Sequence, residues 1–84
     1  MNDRALRYFL AVVRTGSVRG AAEALNVAAS AVSRHISEME AECGENLLER
    51  LPRGVVPTEA GRIVAQHAQR QADEAALLED NLKR

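Results

Sequence analysis

The chain has 84 residues and a formal net charge of −1. That length allows one small domain with a modest core, and because Tyr8 and Phe9 are the only aromatics the core must be aliphatic and helical. A single cysteine, Cys43, excludes an intrachain disulfide framework and points to a reducing cytoplasm; no run of about 18 apolar residues suggests a membrane span, and the opening "MNDRALRYF" lacks a secretory signal's basic-then-apolar layout.

The first helix starts at Asn2 or Asp3, either of which can cap unpaired N–H groups. Leu6, Phe9, Leu10 and Val13 follow the i, i+3, i+4, i+7 spacing of one buried face, and Gly16 stops it. Ser17 is placed to cap a second helix, Val18 to Leu25, that buries Val18, Ala21, Ala22 and Leu25. Asn26 tolerates the left-handed conformation that ends a helix, so the chain turns there. A third helix then runs from Ala29 to Cys43, before Gly44. At about 100° per residue, Val32, Ile36, Met39 and Cys43 make one narrow stripe, with Ala29, Ser30, Ser33, Arg34 and Ser37 opposite. Cys43 reads as a small apolar core residue.

In "NLLERLPRGVVPT" the apolar pairs Leu47–Leu48 and Val55–Val56 flank Pro52 and Gly54, which predicts a two-stranded hairpin with Arg53 at its tip. Thr58 caps a last helix from Glu59 to about Lys83, roughly 37 Å long. On it Val64, Ala68, Gln71, Ala75, Leu78 and Leu82 follow a heptad spacing, which predicts a dimerisation seam with Gln71 helping to set register.

A helix, a short turn and a second helix whose outer face is small and basic match the helix-turn-helix geometry. Small residues let the backbone sink into the major groove, and the helix N-terminus favours phosphate. Ser33 can bond a base edge and Arg34 can fork onto guanine or clamp phosphate. A hairpin tipped by arginine is a wing suited to the minor groove. Charge is segregated to match. Residues 1–37 net +3, residues 38–49 net −5 and residues 50–62 net +2, so a fold can set two basic segments on one face and the acidic one behind.

The segments "LRYFLAVVRTGSVRGAAEALNV", "SAVSRHISEME", "CGENLLER" and "VVPTEAGR" resemble the DNA-binding domain of the bacterial LysR-type transcriptional regulators over nearly the whole chain. The resemblance implies a mostly α fold: a winged helix-turn-helix (three helices plus a two-stranded wing) over 1–57 and a linker/dimerisation helix over 58–84. It implies Ser30, Ser33 and Arg34 in the major groove, Arg53 in the wing, and Arg19 and Arg50 as phosphate contacts. The implied partners are a pseudo-palindromic double-stranded operator and a second copy, with linker helices antiparallel. Members normally continue into an effector-binding domain; its absence here suggests a truncated or unusually short member, reached by a small-molecule effector only through that missing part. Ala28-Ala29 stand where the family usually has Ser-Gln, which weakens the cap by ~1 kcal/mol and leaves Ala29 only a methyl contact. Leu48 and Val18 stand where phenylalanine is common.

The rival reading is a winged-helix protein-interaction module that has lost DNA binding, supported by the near-neutral charge and by Ala28-Ala29. No metal or cofactor is expected, since neither His35 nor His67 has a Cys or His partner at ligand spacing. No acid–base pair, nucleophile–base set or phosphate loop suggests an enzyme.

Overall fold

The computed structural model describes residues 1–84 as four helices and one hairpin, in the expected order. Helix α1 (Asp3–Thr15) begins where Asn2 Oδ1 accepts from the Ala5 N–H at 2.8 Å, satisfying one donor that every helix start leaves unpaired. It ends at Gly16, with φ 73°. Ser17 caps α2 (Val18–Leu25) in the same way, accepting from the Gly20 N–H at 2.8 Å. Asn26 closes α2 at φ 58° and ψ 47°, the only residue besides glycine at positive φ. Helix α3 (Ala29–Cys43) follows and stops at Gly44. Strands β1 (Leu48–Leu51) and β2 (Gly54–Pro57) are antiparallel, with Arg50 opposite Val55 and Leu51 opposite Gly54. Pro52 and Arg53 form the turn between them. Helix α4 (Glu59–Leu82) completes the chain behind its cap, Thr58.

Helix α1 is the hub, touched by α2, α3, α4 and β2. Its buried arc is therefore wider than a single stripe: Ala5 and Val12 join Leu6, Phe9 and Leu10 inside, and Val13 is left half-buried. Helix α2 buries Ala21 and Ala22, with Val18 and Leu25 half-buried at the margin. Helix α3 contributes Val32, Ile36 and Met39, and Cys43 sits half-buried beside them. Enclosing side chains such as Phe9 and Met39 stabilises the fold by about 1.5–3 kcal/mol each. The core is mostly aliphatic and helical, with Phe9 its one aromatic and Leu47 and Val55 added from the hairpin segment.

The wing is fastened at both ends. At its far strand, the Val55 N–H donates to the Gly16 carbonyl at 2.9 Å, tying β2 to the turn between α1 and α2. Gly54, at φ 146°, makes the approach possible, because a Cβ there would strike the same Gly16 oxygen. At the near strand, the Leu47 N–H donates to Glu40 Oε2 at 2.8 Å. Thr58 then joins hairpin to helix. Its N–H donates to the Leu47 carbonyl at 3.0 Å, its hydroxyl donates to the Asn46 carbonyl at 2.7 Å and accepts from the Gly61 N–H at 3.0 Å.

The α4 stripe is divided. Ala68 is inside the core, and Val64 packs against it. Gln71 Nε2 donates to Asp3 Oδ1 at 3.2 Å, and Ala75 lines a hollow shared with Leu6 and Leu10 of α1. These four residues of the stripe face their own chain, because the Leu6 and Leu10 side of α1 needs cover. The core thus reaches past residue 58 into α4. From Ala72 onward every residue is exposed, and the helix projects from a body whose longest extent is 46 Å.

Candidate nucleic-acid interface

The outward face of α3 carries Ala29, Ser30, Arg34 and Ser37, all exposed, with Ser33 half-buried at its margin. Ala28 supplies no side-chain hydrogen bond to the first turn. The leading N–H groups there remain open to an external acceptor, and the helix dipole makes an anion the favoured one. A family-typical serine at this position would have used one of those donors itself.

Between α3 and β1 lies a hollow of about 200 Å³ that brings Ser33, Ser37 and Arg50 together, with Val18, Ile36 and Leu48 at its floor. Arg50 shares the inward side of the hairpin with Val55, its register partner, so its charge leans toward α3. Arg53 is exposed at the turn, beyond the end of the ladder. Arg19 is exposed in the first turn of α2, just after the Ser17 cap. The sequence candidates are therefore distributed as a helix face, a hollow beside it and a protruding tip, with Arg19 outside the hollow.

Three acids of the 38–49 stretch are engaged or turned off the exposed α3 face, although Glu40 also lines the hollow with Ser33, Ser37 and Arg50. Glu40 is turned to the hairpin, where it holds Leu47. Glu42 Oε2 lies 2.9 Å from the N-terminal ammonium of Met1. Glu49 sits on the opposite side of the hairpin from Arg50. Glu38 is the exception, with Oε1 3.8 Å from Arg34 Nε; the two side chains are 59% and 65% exposed. His35 faces α1, edge-on to Tyr8 with ring centroids 5.0 Å apart. Its Nδ1 is buried without a hydrogen-bond partner.

On α4, Leu78 and Leu82 of the predicted seam are 59% and 75% exposed. Ile63 and Leu77 were not among the candidates, yet they are 65% and 60% exposed. They were hidden in the sequence by polar neighbours. Ile63, Arg70 and Leu77 recur at seven-residue intervals, interleaved with His67 and Glu74. The stripe is amphipathic at its ends and charged in the middle, so it has no continuous apolar run.

Residues 4–62 match the family model described as bacterial regulatory helix-turn-helix protein, lysR family. The nitrogen assimilation regulatory protein nac of Klebsiella aerogenes is 44% identical over 85 residues, which is 98% of this chain and 28% of that protein. The chain thus spans little more than a quarter of that relative. Among solved structures, the complex of BenM_DBD with catB site 1 DNA superposes with a TM-score of 0.90 at 38% identity, covering 100% of this chain and 93% of the other. The CbnR_DBD–DNA complex gives 0.85 at 35% identity, covering 99% and 95%.

Proposed function

We infer function from kinship: the chain belongs to the lysR family of bacterial regulatory helix-turn-helix proteins, and we propose that it is the sequence-reading DNA-binding domain of a transcription regulator. The observation that carries this reading is the α3 face. It is free of side-chain caps, lined by small and hydroxyl residues, and has one projecting arginine with no acid before Glu38. Ala29, Ser30, Ser33, Arg34 and Ser37 enter the major groove. Arg34 forks onto a guanine or a phosphate, and the serines bond base edges or backbone oxygens. Arg53 reaches the flanking minor groove from the wing tip, while Arg19 and Arg50 hold phosphates on either side. That two similar domains were solved with DNA supports the same use of this surface.

The interaction-only reading is not favoured. Its main support is the charge of −1, yet Glu40 and Glu42 of the acidic stretch are held in contacts with Leu47 and the N-terminus rather than on the exposed α3 face. A polyanion responds to the local field, not to the sum.

A second copy completes the site through the exposed side of α4, so that two recognition helices address a pseudo-palindrome. In the whole regulator, a further domain takes a small-molecule effector, and the protein works in the cytoplasm.

Replacing Arg34 by alanine tests the reading directly. The residue is exposed and packs against nothing in the core, so thermal stability should hold. Specific affinity should fall by about 1–3 kcal/mol, with relaxed preference at one base pair. Fluorescence anisotropy on a footprinted site measures this, and an unchanged Kd assigns the wrong face. Wild-type affinity should also drop steeply as salt rises, since phosphate contacts release counterions.

The wing has a separate signature. Arg53→Ala should weaken sites with A·T-rich flanks more than sites with G·C-rich flanks, because a narrow minor groove concentrates negative potential. Anisotropy on paired duplexes at one salt concentration decides it. Equal losses on both would limit Arg53 to phosphate.

A further inference from the structure

The recognition helix carries an acid in the wrong place for a DNA binder. Three glutamates lie on the C-terminal half of α3 at positions 38, 40 and 42. Glu40 holds the wing through Leu47, and Glu42 meets the N-terminal ammonium. Glu38 alone has no partner in the fold except Arg34, one helical turn earlier, and the pair is open to solvent at 3.8 Å. An exposed pair at this distance stabilises little, so fold stability does not explain Glu38. Its position on the outward face does bear on binding. A carboxylate beside the principal base-reading arginine repels every phosphate that approaches, whatever the sequence.

We propose that Glu38 is a positioning residue that raises specificity, resting on the DNA-binding reading given above. In the free protein its Oε1 lies nearest Arg34 Nε, which leaves the two Nη groups free to serve as the forked donor that matches guanine O6 and N7. On non-specific DNA, where Arg34 has no guanine edge to meet, the carboxylate competes with phosphate for the guanidinium and opposes settling onto the backbone. On the correct site, the guanine takes the forward donors while Glu38 keeps the Nε edge, so the arginine is held in the reading orientation. Specificity is a difference of affinities, and a repulsive group that acts mainly against the wrong complex enlarges it.

The test uses Glu38→Gln, which keeps shape and removes charge, in the wild-type chain and in the Arg34→Ala background. Two duplexes are titrated by anisotropy at fixed salt: the footprinted site and a scrambled sequence of equal length. For Glu38→Gln alone, affinity for the scrambled duplex should rise by about three- to tenfold, the scale of one unit charge a few ångströms from phosphate in water. On the specific site the relief of repulsion is offset by the lost hold on Arg34, so affinity there should change by less than about twofold and the ratio falls. In the Arg34→Ala background the same substitution should raise both affinities alike, because no reading arginine remains to be positioned. Melting temperature should not move, since both groups are exposed.

A ratio unchanged by Glu38→Gln overturns the proposal, as does a specific loss confined to one C·G pair, which would make Glu38 a direct acceptor for cytosine N4. An equal fall in the ratio in both backgrounds overturns the route through Arg34. If Arg34→Ala itself leaves specific binding intact, the DNA-binding reading fails, and that outcome is distinct from all three.

Discussion

Gly61→Ala lowers the melting temperature by about 10–25 °C, although helix propensity alone predicts the reverse. Gly61 is the third residue of α4, and alanine in a helix is favoured over glycine by about 1 kcal/mol. Against that, a Cβ at position 61 would strike the Leu47 carbonyl oxygen and lie 3.2 Å from Pro57 Cβ. The Leu47 oxygen cannot yield freely, because it accepts from the Thr58 N–H and belongs to a residue 1% exposed in the core. Relieving the clash means lifting α4 from the hairpin, which strains packing by about 1–3 kcal/mol. It also weakens the Thr58 bonds to Leu47 and Asn46, at about 1 kcal/mol each. The net loss is about 2–4 kcal/mol, a large part of the roughly 4–13 kcal/mol expected for a chain of this length. Each kcal/mol moves the melting point of a domain this size by about 4–8 °C. Far-UV circular dichroism on heating reads the result. A variant as stable as wild type would show that the contact relaxes without cost.

Gly61 also marks where sequence reasoning stops. Glycine in a helix reads as a small penalty, and nothing local announces that a carbonyl from fourteen residues earlier occupies the space of its missing side chain. Capping and termination were legible because they are local chemistry. Asn2, Ser17 and Thr58 each hold a donor within three residues, and Gly16, Asn26 and Gly44 each take the left-handed conformation that ends a helix. The α3 face was legible too, since its period is that of one helix against one core. Periodicity says that one side of a helix is covered, but it does not identify the cover. That is why the α4 stripe reads as a single surface, although the chain's own body covers Val64, Ala68 and Gln71, and Ala75 borders the hollow against α1. Assigning those residues required knowing that α1 is the hub. The pairing of Glu38 with Arg34 is a local one-turn spacing, but its meaning depends on Glu40 and Glu42 being occupied elsewhere.

The far half of α4 carries the second large effect. From Ala72 on it has no buried residue, and a free helix of a dozen residues is only marginally stable in water. Leu77, Leu78 and Leu82 stay exposed on it, and Ile63 near the start of the helix; each gains at most about 1.5–3 kcal/mol if a second copy covers it fully. A parallel change of Leu77→Asp and Leu78→Asp should therefore give a monomer with an intact winged body, because neither side chain belongs to the core. Two half-sites held by one dimer act at high effective concentration, so losing the link should weaken binding to the full pseudo-palindrome by about 10²–10⁴-fold. Binding to an isolated half-site, by contrast, should match that of a wild-type protomer. The half-sites themselves should lie one helical turn or a multiple of it apart. Sedimentation equilibrium, circular dichroism and anisotropy on full and half sites separate these effects. A wild type that sediments as a monomer at about tens of micromolar defeats the reading. So does a double variant that keeps full-site affinity, since the exposed leucines would then serve some other surface and the recognition helices would be paired by contacts elsewhere.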